Sequence, residues 1–436
     1  MRNIYRLKRT GLSFLYLIFL SVFSLPSEAV SQNTYFLSKE IVPFEKPVPA
    51  LKVGSSYIAP HFGLKITRVT QVDKRIPPTR ASGISNEYSR HDPLNKDGTL
   101  LILRATNAEW YLFNAVTYKY IGYLNIGPNP EPRWSPTDPN LFYYRRGTRF
   151  FSYQVEKKKH ELIFDFKKVY PDAHDASGLF EGEPSSDMRY WAFAITGYDW
   201  KTKITTPIDW VTFDLGKREI ISSYRKATGK NVTAANAVTI SPSGKYVMIE
   251  RKTAEVCSLY WTNCRKLPGT HGHGDVSVSS DGRDVFVSQN TETDNIAMTY
   301  LDTTEQVNLM RLRFRCNYLP YDFGLHISGN NINKPGWVLI STYSSHAKPC
   351  LWSDNSLFLL ELKQNGRQWR LGHTYSLSGS GGKDYWAEAF ATIDRNGTKV
   401  YWASNMGDTD HDYVDVYDIS LPKSWYDDLS GTGSSK

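Results

Sequence analysis

The chain has 436 residues, with 52 Lys and Arg against 44 Asp and Glu, for a formal net charge of +8. Arg2, Arg6, Lys8 and Arg9 supply part of that excess before the first acid, Glu28, so the remainder is too weakly basic, and too free of Lys/Arg blocks, for a nucleic-acid partner. Counts of 28 Tyr, 20 Phe and 12 Trp, with 30 Gly and 22 Pro lying mostly between alternating apolar runs, favour an all-β chain.

Residues 1–29 read as an export signal. The four cations form a basic start, Leu12 to Leu25 is an apolar stretch of 14 residues, and Ser27-Glu28-Ala29 gives a small-x-small cleavage pattern. The stretch is short for a bilayer span and no second one follows. The expectation is a secreted or periplasmic monomer without stable membrane insertion. Residues 30–63 are read as an N-terminal extension.

A short turn then recurs along the chain, each time followed by a β-rich run. It appears at Lys96-Asp97-Gly98, Thr137-Asp138-Pro139, Ser186-Asp187-Met188, Pro242-Ser243-Gly244, Ser280-Asp281-Gly282, Lys334-Pro335-Gly336 and Arg395-Asn396-Gly397. The middle residues of these turns are spaced by 41, 49, 56, 38, 54 and 61 positions. A period near that of propeller blades, with four short strands per unit, predicts a seven-bladed β-propeller over residues 64–422. One antiparallel four-stranded blade cannot bury both faces, so neighbours must stack and the ring must close. After the last turn only Thr398–Ser404 and Tyr413–Ile419 read as strands. Leu64–Val72, which alternates apolar and polar, is expected to supply the missing outer strand and close the ring. Residues 423–436, which become Gly/Ser-rich, are expected to be a flexible tail.

In such a ring each inner strand descends from the upper face and the second strand returns to it. The starts of the inner strands read His91, Arg133, Glu181 and Glu183, Asn236, His271 and His273, His326, and Glu388. Polar groups at those buried positions imply either a wet mouth or a lining of mutually satisfied pairs. Loops after the second strands add Arg104, Arg145 and Arg146, Tyr198 with Lys201 and Lys203, Arg251 and Lys252, Asn290, and Tyr343 with His346; the loop 169–182 adds Tyr170 and His174. Arginines grip carboxylate or sulfate bidentately and aromatic rings stack on sugar faces, so this face suits an anionic polysaccharide. The expected substrate contacts are Arg133, Arg145, Arg146, Tyr170, Lys252 and Asn290.

Four cysteines in an exported chain suggest disulfides, and Cys257 and Cys264 flank a short turn that they could bridge. Cys316, His326, Cys350 and His373 all fall within blade six. Two readings stay open there: a structural tetrahedral Zn²⁺ held by all four, with His273 or His346 as a substitute ligand, or a Cys316–Cys350 disulfide beside two ordinary histidines.

Several runs resemble the secreted β-propeller polysaccharide lyases, the ulvan lyases and more remotely the oligogalacturonate lyases. They are Tyr88-Ser-Arg-His-Asp-Pro93, Pro132-Arg-Trp-Ser-Pro136, Glu181-Gly-Glu-Pro-Ser185, Gly272-His-Gly-Asp275, His326-Ile-Ser-Gly-Asn330, Lys334-Pro-Gly-Trp337 and Tyr385-Trp-Ala-Glu388. The resemblance implies β-elimination on a uronate-containing, sulfated, ulvan-like glycan, with a supporting metal. It implies a base for the C5 proton (His91 or His174), an acid for the departing oxygen (Tyr198) and a cation for the carboxylate (Arg251 or Arg146). A non-catalytic propeller that binds glycan or protein is the competing expectation. A glycoside hydrolase would need paired carboxylates, and Glu183 and Glu388 fall on blades three and seven.

Overall fold

The computed structural model describes residues 35–44, 51–312, 323–345, 348–378, 385–408 and 413–430. The expected signal lies outside the described residues, and no described helix is long and apolar enough to cross a membrane.

Every one of the seven turns joins an inner strand to the second strand of its sheet. In six of the seven, all but Thr137-Asp138-Pro139, one residue reverses the chain in the left-handed region: Gly282 at φ 83° and Gly336 at φ 84° do so without a Cβ clash. The inner strands are Ile84–Ser85, Arg133–Trp134, Asp175–Ser177, Ala237–Ile240, His271–Val278, Phe323–Ser328 and Thr392–Ile393. Each begins an antiparallel sheet, and the seven sheets are the blades of a β-propeller.

Six blades have four strands and the seventh has five. In the seventh, Lys65–Arg68 pairs antiparallel with Asp415–Ser420, with Ile66 opposite Ile419, and both side chains are fully buried. The N-terminal strand therefore closes the ring, as its alternation foretold. Arg68 Nη2 lies 2.5 Å from Asp415 Oδ2 and anchors the closure. Ser56–Ile58 adds a fifth strand outside it, so the propeller takes in residues that had been assigned to the extension.

The flexible tail is corrected for residues 425–430. Trp425–Ser430 is a helix whose Trp425 and Leu429, one turn apart, are buried. The Trp425 Nε1–H donates to the Gly397 carbonyl at 2.7 Å, and its ring meets Trp337 and Trp369. An indole with that much area to bury outweighs the Gly/Ser composition that follows it.

The core is divided rather than central. Apolar clusters lie in wedges between successive sheets: Ile102, Trp110 and Phe142 between blades one and two, Val287, Ile327 and Phe358 between five and six, and Leu357, Trp369 and Trp402 between six and seven. This leaves the axis, where inner strands converge, to polar side chains.

Candidate functional site at the channel mouth

The inner strands descend, so residues earlier in each run stand nearer the upper mouth. Tyr88, Arg90, His273, His326 and Glu388 meet there. Arg90 is buried and holds Glu250 at 2.7 Å and Glu181 at 3.0 Å, which uses both arms of its guanidinium. Burial alone would weaken its charge, but the two carboxylates reverse that and keep Arg90 firmly protonated. Gly182 lets the Glu181 loop lie flat on blade four: a Cβ there would stand 2.4 Å from the Val238 carbonyl.

His273 is exposed to the mouth, and its Nδ1 lies 3.2 Å from the Tyr88 hydroxyl. Its surroundings lower its pKa by desolvation, so the ring is neutral near pH 7. Together with Arg251, Glu250, Asn236 and His271 it lines a cavity of about 200 Å³. Arg251 is half-buried at the rim, 2.8 Å from Glu255 and 2.6 Å from the Thr233 hydroxyl. On the other side of His273 the His326 ring sits 4.7 Å away, centroid to centroid, with Tyr343 and Phe390 against it. Buried His326 has no side-chain hydrogen-bond partner and lies against the Glu388 backbone; Glu388 Oε2 stands 3.9 Å from its Nε2 and accepts from Tyr343. Tyr385, half-exposed, packs on Phe390 and completes this wall.

One layer deeper, His91 is 2% exposed and lies between two carboxylates, 3.1 Å from Glu87 and 3.2 Å from Glu183. Arg133 contacts the same two acids at 2.8 and 2.6 Å. Burial would raise Glu87, but Arg133 and His91 prevail and hold it at about 2. Burial also raises Glu183, and there Asp275 and Glu87 help to push it up to about 8. These four groups are paired with one another, and Arg133 and Glu183 also line a cavity of about 250 Å³ together with Asp92, Asp275 and Asp394. His91, expected as base, and Arg133, expected as substrate contact, are thus ion-paired below the mouth rather than placed beside Arg251.

The remaining expected residues separate. Arg145 is buried and paired with Glu131 and Asp175. Tyr170 donates its hydroxyl to Asp209 at 2.9 Å within blade three. Asn290 is buried, its Oδ1 accepting from the Glu292 amide at 3.0 Å. These three do not present a binding group. Arg146 and Lys252 are exposed, and Arg146 donates to the Asn125 carbonyl at 2.6 Å. His174 and Tyr198 do meet, with centroids 5.3 Å apart, but on a hairpin of blade three and with Trp200 rather than with Arg251.

The four-ligand zinc reading fails on geometry. Cys350 is disulfide-bonded and so is no thiolate ligand. His326 is on the innermost strand of blade six and His373 on the outermost, three ladder steps apart, roughly 14 Å. His373 is instead buried among Phe44, Phe62 and Tyr375. Cys316 and the substitute ligand His346 lie outside the described residues. The expected Cys257–Cys264 disulfide is present. It also consumes the two sulfurs of the only described trio of potential ligands drawn within 4.8 Å, Glu255, Cys257 and Cys264.

Sequence reasoning named His273 only as a substitute metal ligand and Glu388 only as a hydrolase carboxylate, and it missed Tyr88, Arg90, Glu250 and Tyr385 as mouth residues. The signal was the direction of the inner strand: the quoted Tyr88–Pro93 run enters at Tyr88 and reaches His91 only after descending.

No family model matches the chain, and no curated protein matches it. Solved structures do. An oligogalacturonate lyase in complex with manganese superposes with a TM-score of 0.60 at 17% identity, covering 89% of this chain and 99% of that one. An oligogalacturonate lyase from Vibrio parahaemolyticus gives a TM-score of 0.59 at 14% identity, covering 85% and 97%. At such identities the likeness shows the shared propeller fold.

Proposed function

We propose that this protein is an exported lyase that cleaves uronate-containing oligosaccharides or polysaccharides by β-elimination at the channel mouth. The observation that carries the reading is an exposed, neutral histidine, His273, beside a rim arginine, Arg251, around one cavity. Similarity of fold to oligogalacturonate lyases supports the choice of uronate.

Arg251 receives the uronate carboxylate and stabilises charge that spreads onto it as the C5 proton leaves. Tyr88 orients His273: with the Nδ1 proton directed at the phenol oxygen, Nε2 is the basic nitrogen. His273 takes the C5 proton, the C5–H electrons form the C4–C5 double bond, and the C4–O bond breaks with its pair leaving on oxygen. Tyr385 protonates that oxygen; burial and Glu388 raise its pKa, so it stays protonated.

His326 and Glu388 fit a divalent cation by donor chemistry, because a buried imidazole without a side-chain hydrogen bond and a carboxylate stand side by side. A cation bound there supplies Lewis-acid polarisation of the substrate carboxylate. The leader at residues 1–29 would take the enzyme out of the cytoplasm.

The test is incubation with oligogalacturonides, polygalacturonate and ulvan, with and without chelator and added Mn²⁺ or Zn²⁺. The unsaturated product absorbs in the ultraviolet. Absorbance growth that disappears in His273→Ala supports the reading. Binding without any product, on every glycan and metal, would leave a non-catalytic glycan-binding propeller in its place.

A further inference from the structure

Blade three departs from its neighbours in one respect. Its second and third strands, Tyr190–Asp199 and Ile204–Asp214, are far longer than its inner strand, Asp175–Ser177, which pairs only with Ala194–Thr196. The two long strands stay in register beyond that point, with Gly197 opposite Thr206, Tyr198 opposite Thr205 and Asp199 opposite Ile204. The hairpin thus runs three residue pairs past the end of the inner strand, about 10 Å at ordinary strand rise. Its tip is tied down: the Lys203 amide donates to the Asp199 carbonyl at 2.8 Å, and the Asp199 carboxylate accepts from the Lys201 amide at 2.8 Å.

This hairpin carries aromatic surface that the fold does not use. Trp200 is 74% exposed. Its ring meets Tyr198 edge-on at 4.8 Å and His174 at 5.4 Å, while His174 and Tyr198 are 5.3 Å apart. No other ring of the described residues joins this trio, so the three hold one another in place and leave most of the indole open. Lys201 and Lys203 stand exposed on the same tip, and Asp199 is occupied by the turn amides. The backbone beside exposed Arg146 also approaches the trio, since a Cβ on the next residue, Gly147, would lie 3.6 Å from the His174 carbonyl.

A pyranose presents C–H groups on its faces, which pack on aromatic rings, and a uronate adds a carboxylate at its edge, which cations attract. We propose that His174, Tyr198 and Trp200 form a stacking platform for a distal sugar of an anionic glycan chain, with Lys201 and Lys203 drawing its carboxylates. The inference rests on the reading above only for the uronate identity of the ligand. It reassigns His174 and Tyr198 from acid–base chemistry to substrate length recognition.

The experiment is titration of wild type, Trp200→Ala, Trp200→Phe and Tyr198→Ala with di- and hexagalacturonides, followed by calorimetry and by tryptophan emission. The Trp200 contribution is the difference between wild type and Trp200→Phe. The expected result is a hexasaccharide-to-disaccharide affinity ratio lower by about tenfold in Trp200→Ala and largely restored in Trp200→Phe, with Trp200 emission shifting on the long ligand. An unchanged ratio in Trp200→Ala overturns the platform. If the wild type binds no galacturonide but Trp200 emission responds to a sulfated hexasaccharide, the platform stands and the galacturonate reading falls. Silence with every hexasaccharide tested, a protein partner then being the remaining use of the patch, refutes it.

Discussion

Two layers of one channel contain the same kinds of residue and have different capacities. In the deeper layer the side chains of His91, Arg133, Glu87 and Glu183 are ion-paired with one another, and the net effect is a compact polar network. At the mouth Arg90 is equally spent on Glu181 and Glu250, yet His273 and Arg251 keep one side on a cavity. The difference teaches that an ionisable residue on a propeller axis becomes a chemical group only where its hydrogen-bonding capacity is not already used. The partners that each group has already taken, rather than residue type, separate the two cases.

That contrast breaks most readily at His273. His273→Ala should lower the elimination rate by about 10²–10⁴-fold, the usual worth of a general base, with the melting temperature little changed. Initial rates by ultraviolet absorbance and a thermal melt check both halves. An equal loss in His91→Gln at unchanged stability would reverse the assignment of the two layers.

The next effect is on stability. Arg133→Ala leaves two buried carboxylates and His91 without their cation, and should cost about 3–5 kcal/mol in a denaturant melt, as removal of one partner of a buried ion pair does. Arg251→Ala, at the rim, should leave the melt intact and raise KM roughly ten- to a hundredfold, the range for one charged hydrogen bond.

A pH-dependent effect concerns the lower end of the channel, where Asp92 is raised by burial and by Asp394. A carboxyl whose folded pKa lies above its unfolded one binds more protons in the folded state. Its stabilising proton is fully present below the unfolded pKa and is lost as pH rises toward the folded value. Stability should therefore fall from about pH 4 to about pH 8, and Asp92→Asn should flatten that slope in melting temperature. A wild-type slope of the opposite sign would show that Asp92 is ionised in the folded chain.

Much of the architecture was legible because it is local. A polar turn with a left-handed residue recurs at blade spacing, and alternation in Leu64–Val72 marks a strand with one buried face. The site was legible in part. The inner-strand starts could be listed, since they follow from topology, but a list does not tell which members cancel. The error at blade six had the same origin: His326 and His373 share a blade in sequence, yet a sheet three ladder steps wide keeps them apart. The tail was misread because composition was averaged over residues 423–436, and one tryptophan outweighed it.

The sequence by itself determined the number of blades, the closing strand and the hairpin disulfide. Each of these is set by backbone periodicity and short-range turns that neighbouring residues dictate. Only the tertiary structure decided that His273 and Arg251 share a cavity, that His91 is sealed among Glu87, Glu183 and Arg133, and that Trp200 stands in solvent. Those outcomes depend on side chains from different blades arriving at the same height on one axis, and the strength of each charge there is fixed by its neighbours and its distance from water.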